Sequence, residues 1–167
     1  MTKHFVAILM GSESDLSTME VTFTQLKALK VEFEANILSA HRTPEDTVAY
    51  VKDAEKRGCH VFIAAAGLSA HLAGTIAAHT VKPVIGVPMA AESLNGLDAL
   101  LSTAQMPGGI PVACVTIGSA GAKNAAILAA EILALHDADL HKRLVAERNQ
   151  KYESLKKANQ ALQDKLR

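Results

Sequence analysis

The chain has no tryptophan, two tyrosines and four phenylalanines among its 167 residues. With so few aromatic side chains to sandwich a ring, flavin binding is disfavoured. There are only two cysteines, Cys59 and Cys114, too few and too far apart for a disulfide framework or a zinc cluster. Both fall in or beside apolar strand-like runs, where a buried inert thiol is the default. Of the histidines, His4, His60, His79, His136 and His141 are scattered without ligand spacing, so no metal and no other cofactor is expected. No apolar stretch is long enough to span a bilayer. The first such run, "FVAILM", is only six residues long and is followed at once by acidic residues, unlike a signal peptide. A soluble cytoplasmic protein is expected. Net charge is lacking too: Lys plus Arg and Asp plus Glu each number 17, which points to neither nucleic acid nor an anionic membrane as partner. The charge is uneven, however. Residues 141–167 carry eight basic and three acidic side chains, leaving nine and fourteen for the first 140. The basic segment reads as a solvated helix face rather than a nucleic-acid patch.

What is present is alternation. Hydrophobic residues make up 49% of the chain, arranged as short continuous runs separated by helical patterns. The runs 5–10, 31–38, 60–66, 82–88 and 110–117 predict five strands. Between them, Leu16, Met19, Phe23, Leu26 and Leu29 recur at helical spacing, and further helices are predicted at 44–57, 70–80, 97–103 and about 120–136. A last helix, from about Asp139, places Leu140, Leu144, Leu155, Leu162 and Leu166 on one stripe. Continuous apolar strands alternating with helices imply a parallel sheet covered on both faces. Right-handed crossovers leave few orders for five strands, and the flavodoxin-like order 2-1-3-4-5 is expected. The chain reads as a single α/β domain over residues 1–167, a three-layer sandwich with its core at 5–136 and a helical extension at 137–167.

In such a fold ligands bind beyond the carboxyl ends of the strands, so the loops after strands one to four matter: "GSESD", "SAHRTP", "AGLSAHLAG" and "VPMAAESLNG". In "GSESD", Gly11 permits a tight turn, and Ser12, Ser14 and the first helical amides suit a phosphate. The same string is also explained by Ser14 or Asp15 capping the helix; it is neither a P-loop nor a dinucleotide fingerprint. Asp15 would repel an adjacent phosphate and suits ligand hydroxyls better. In "SAHRTP", Thr43 as cap, Pro44 at the first position, and Glu45 and Asp46 in the first turn account for helix initiation. They do not account for His41 and Arg42. An imidazole can take and give a proton near neutral pH, and a guanidinium offers a planar fork to phosphate. "AGLSAHLAG" adds Gly67, Ser69, His71 and Gly74, with His71 open to a site role, a subunit contact or a plain helix start. "FIAAAG" has no acid of the kind that response regulators phosphorylate. "STAQMPGGIPVA" reads as a connecting loop; if it helps bind a ligand, a neighbouring subunit is the expected route.

The ordered set "GSESD", "SAHRTP", "AGLSAHLAG", "GVP", "QMPGGIPV" and "IGSAGAKNAAILAA" resembles the N5-carboxyaminoimidazole ribonucleotide mutase family of purine biosynthesis over about residues 5 to 140. The resemblance implies a cofactor-free isomerase. It moves a carboxylate from the exocyclic nitrogen of a phosphoribosyl-aminoimidazole to ring carbon four, releasing CO2 and recapturing it within the pocket. It also implies His41 as general acid/base. Ser12 and Arg42 would bind the ribose phosphate, assisted by Ser14, and Asp15 the ribose hydroxyls. Ser39 and Ala40 would complete the substrate-binding loop, and Gly67, Ser69, Ala70, His71 and Leu72 would line the aminoimidazole and CO2 pocket. The family forms homo-octamers, consistent with the C-terminal leucine stripe. Where the family's third loop reads "GGAAHLPG", this chain has Leu68 for a glycine and Ala73 for a proline. Two other functions remain in view: a direct carboxylase of the unsubstituted aminoimidazole, and a non-catalytic nucleotide-binding module.

Overall fold

The computed structural model describes residues 4–91 and 94–167. Met1–Lys3, and Glu92 and Ser93 of the loop after the fourth strand, lie outside the described residues. Strand β1 (Phe5–Met10) is buried along its whole length because it has a strand on each side and a layer on each face. Its side chains alternate between two cores. Val6, Ile8 and Met10 enter one, Phe5, Ala7 and Leu9 the other. β2 (Phe33–Ile37), β3 (Cys59–Ala66), β4 (Val84–Pro88) and β5 (Ala113–Cys114) complete a sheet of order β2-β1-β3-β4-β5. Every pairing is parallel, so the order expected from crossover handedness holds.

Helices α1 (Leu16–Ala28) and α5 (Gly118–Ala134) cover one face together with the start of α6 (Ala138–Lys165). On the other face lie α2 (Pro44–Arg57) and α3 (Leu72–Ala77). The short α4 (Leu97–Ala104) packs there against β4. Gly86 of β4 has no room for a side chain, because a Cβ would strike the Thr103 methyl of α4. The helix signals at α2 behave as read. Pro44 opens it, Glu45 and Asp46 occupy the first turn, and Gly58 ends it in the left-handed conformation at φ 103°.

Four expectations need correction. The fifth strand is two residues long rather than eight. It is an edge strand with a single neighbour, and Pro111 just before it cannot donate to a ladder. α5 accordingly starts at Gly118. Thr43 does not cap α2. Its hydroxyl accepts from the Ser39 amide and donates to the Ser39 carbonyl, which ties the loop to itself. Ser14 and Asp15 are not the simple caps expected either. Ser12 caps a 3-10 turn (Glu13–Asp15), with its Oγ accepting from the Ser14 amide and the Asp15 carboxylate accepting from the Ser12 amide. The leucine stripe of α6 divides in two: Leu140 and Leu144 are buried, while Leu155, Leu162 and Leu166 are exposed.

Candidate active site

The loops leaving β1, β2 and β3 meet at the carboxyl edge of the sheet, with Ala91 after β4 beside them. Together they enclose a cavity of about 620 Å³. Ser12, Ser14, Asp15, Ser39, Ala40, His41, Arg42, Gly67, Ser69, His71 and Leu72 all line it. Of the loop residues singled out from the sequence, Ala70 and Gly74 are not in that lining. A roomier cleft of about 910 Å³ lies at the amino edge, beneath the loops before β4 and β5, away from the strand ends where this architecture binds ligands.

Ser39 organises the second loop. Its Oγ accepts from the amides of His41 and Arg42, at 3.3 and 3.2 Å, and from Arg42 Nε at 3.5 Å. Arg42 then reaches across to the first loop, donating from a terminal guanidinium nitrogen to the Gly11 carbonyl. Ser14 Oγ donates to Ser12 Oγ at 2.9 Å. Serine hydroxyls, loop amides and a guanidinium are thus gathered at one end of the cavity, the donor set an anion requires. Asp15 sits beneath them. Burial pushes its carboxyl above the usual aspartate range, against the lowering effects of the Ser12 amide and the Arg42 charge.

The same lining holds two imidazoles. His41 Nε2 and His71 Nδ1 are 2.8 Å apart with their rings edge to face. One hydrogen occupies that contact, since two would repel and none would leave two lone pairs opposed. In the neutral pair, one outer nitrogen is therefore a bare base and the other an N–H donor. Exchanging these roles takes two proton movements, the shared hydrogen across the contact and an outer proton from one ring's far nitrogen to the other's by way of ligand or solvent. The sequence flagged both histidines but contained no signal that they touch, because thirty residues and a strand separate them.

The residues sequence reasoning left out of the site are Ala66, Leu68 and Ala91. The two alanines carry no chemical signal, and only their place at the strand ends identifies them, while Leu68 stood out only as a departure from the family's loop.

The AIR carboxylase family model matches residues 5–154. The chain belongs to the AIR carboxylase family. Among relatives of this family, the N5-carboxyaminoimidazole ribonucleotide mutase of Escherichia coli (strain K12) is 51% identical over 139 residues, 83% of this chain and 82% of that protein. The mutase of Bacillus subtilis (strain 168) is 52% identical over 139 residues, 83% and 86% of the two chains. The crystal structure of Treponema denticola PurE superposes with a TM-score of 0.86 at 32% identity, over 95% of this chain and 98% of that one. In this AIR carboxylase family member, an anion-binding end and an acid/base end share one cavity. The arrangement is suited to moving protons on a phosphorylated ligand.

Proposed function

We propose that this chain is an N5-carboxyaminoimidazole ribonucleotide mutase, an isomerase of purine biosynthesis. The observation that carries the reading is the His41–His71 pair set beside the Ser12–Arg42 anion end in one cavity. Ser12, Ser14 and Arg42 bind the ribose phosphate, and Asp15 the ribose hydroxyls. Ser39 and Ala40 hold the second loop against the substrate. Gly67, Ser69, His71 and Leu72 line the aminoimidazole, with Ala70 supporting that wall from beneath.

In the first half-reaction the bond from the exocyclic nitrogen to the carboxylate carbon breaks. Its electron pair stays on nitrogen, which takes a proton from His41, and CO2 is released. In the second, ring carbon four attacks CO2 and forms the new carbon–carbon bond. The proton displaced from carbon four returns to His41, so atoms and charge balance over the cycle. A single imidazole near neutral pH suits both steps. The chain works as a homo-oligomer, an octamer in this reading, in the cytoplasm, with a phosphoribosyl-aminoimidazole as its partner. Among the described residues, no helix is long and apolar enough to cross a membrane.

The family's description as AIR carboxylase keeps a second reading open, direct carboxylation of aminoimidazole ribonucleotide. The two are separated by supplying N-carboxylated substrate without bicarbonate, and aminoimidazole ribonucleotide with bicarbonate. Efficient turnover of the first is expected. Efficient turnover of only the second would select the carboxylase.

A further inference from the structure

Beside the roomy cleft at the amino edge of the sheet lies a smaller cavity of about 400 Å³, which shares Lys82 and Pro83 with it. The turn after α1, the starts of β1 and β3, the approach to β4 and the junction of α5 with α6 enclose it. Its size falls within the range of about 300–1,000 Å³ that small-molecule sites occupy. Lys30, Lys82, Arg143, His4, His60 and His136 line it, against two carboxylates, Glu32 and Asp137. Much of the remaining wall is apolar, with Leu133, Leu135 and Pro83 in it, and Leu135 is 77% exposed.

Part of this charge serves the fold. The carbonyl ends of α1 and α5 face the amino edge and favour cations. Arg143 meets the first of them: its Nε donates to the Leu29 carbonyl at 2.9 Å, and a terminal nitrogen lies 4.0 Å from Asp137. Asp137 is itself spent on α6, where it accepts from the Asp139 and Leu140 amides. Lys82 precedes a strand and meets neither helix end. Among the described residues, neither its ammonium nor that of Lys30 forms an ion pair. Lys30 also stands where glycine is the usual residue. Its φ is 56°. Its amide donates to the Lys27 carbonyl and the Val31 amide to the Leu26 carbonyl, the paired bonds that close a helix on a left-handed residue. A lysine there bears a backbone cost that glycine avoids, and strain of this kind gathers at ligand sites. His60 Nδ1 donates to the Gly58 carbonyl at 2.9 Å, and the His4 ring stands edge to face against it at 4.0 Å. An anion beside these rings favours their protonated forms.

Two other occupants fit poorly. Among the described residues, no three histidine, cysteine or carboxylate side chains are grouped as a metal ion requires. The basic end of a second copy's α6 would be repelled by the like charge of this lining. We propose that the cavity is a second ligand site, for a small organic phosphate. Lys30 and Lys82 take the phosphate, whose two negative charges match two unpaired ammonium groups, and the apolar wall takes the rest of the molecule. The site lies at the opposite edge of the sheet from the His41 cavity and does not depend on the mutase reading.

The test titrates phenyl phosphate into the full chain by calorimetry at low salt. Arg42→Ala serves as the parent, because it removes the guanidinium from the anion end of the other cavity. The parent is expected to bind phenyl phosphate still. Lys82→Ala and Lys30→Gly, each added to it, should weaken that binding about ten- to a hundred-fold, the scale of one lost charge-assisted hydrogen bond. Lys30→Gly keeps the left-handed turn and should melt no lower than the parent, so its lost binding reports the ammonium and not the fold. Inorganic phosphate lacks the apolar part and benzoate the second charge, and both should bind more weakly than phenyl phosphate. No binding of phenyl phosphate to the parent would overturn the site, and so would an affinity that both lysine substitutions leave unchanged. Inorganic phosphate or benzoate bound as tightly as phenyl phosphate would overturn its assignment to an organic phosphate.

Discussion

At the scale of single residues, the site makes two demands on its side chains. The first is the imidazole pair. Its geometry keeps one base and one donor on the outer nitrogens of the neutral pair, so losing either ring removes that arrangement. His41→Asn keeps a polar side chain of similar reach and is expected to preserve folding and much of the binding. Turnover should fall by about 10²–10⁴-fold, the range for a lost general acid/base. Steady-state kinetics that leave kcat near the native value would remove His41 from the proton transfers. The second demand is Asp15. Burial holds its carboxyl above the usual aspartate range. The folded state therefore binds that proton more tightly than the unfolded state does. Stability falls as pH rises through the window between the two pKa values, and the deficit persists at neutral pH. Asp15→Asn keeps an oxygen to accept from the Ser12 amide and is expected to melt at or above the native chain at pH 7. The difference should close on acidification below the ordinary aspartate range. Melting curves in which Asp15→Asn is lower by the same margin at every pH would mean that the capping bond, not the buried charge, decides. An acid that costs stability where it sits is best explained by a ligand it serves.

At the scale of elements, the turn into α5 is as constrained as the loops of the site, though it carries no chemistry. Gly121 lies in the first turn of α5, and a Cβ there would collide with the Thr116 carbonyl. The obstacle is backbone and cannot rotate away. Gly121→Ala is expected to cost about 1–3 kcal/mol, as overpacking does. For a chain of this size each kcal/mol lowers the melting temperature by about 2–4 °C, which calorimetry would resolve. An unchanged melting temperature would mean that α5 slides along the sheet at little cost. The elements also divide by how legible they were in the sequence. β1, β3 and β4 are continuous apolar runs because they are buried on both faces, and α2 carries its start and stop residues in order. β5 was overextended because "IPVACVTI" has strand composition. What shortens it is its place at the sheet edge, which composition does not encode. Within the site, His41, Arg42 and Ser12 stood out by residue type and loop position. The hub at Ser39 is local to its own loop, but the link from Arg42 to Gly11 and the pairing of His41 with His71 depend on loops brought together by the strand order. No local pattern contains that information.

At the scale of the whole molecule, α6 is unfinished business for a lone chain. Its first turns are anchored: Arg143 Nε donates to the Leu29 carbonyl, Gln25 donates to Glu147, and Arg148 pairs with Glu131. Beyond Leu144 none of its residues is buried, yet the helix continues to Lys165 with Leu155, Leu162 and Leu166 exposed on one stripe. Helices in water draw most of their stability from packing an apolar face rather than from propensity. Covering each of those leucines is worth about 1.5–3 kcal/mol. Charge favours a particular cover. Residues 141–167 carry eight basic and three acidic side chains, while the first 140 residues carry nine and fourteen. The tail of one copy is thus attracted to the body of another, and two tails repel. On this argument α6 is expected to pack its stripe on a neighbouring copy in a homo-oligomer. Deleting residues 150–167 is expected to lower the melting temperature and to shift the mass measured by light scattering toward smaller assemblies. The anion end and the imidazole pair lie at the far end of other elements, so the shortened chain should still bind a phosphorylated ligand. Mass and melting both unchanged by the deletion would show that the stripe covers nothing and that assembly, if it occurs, uses another face.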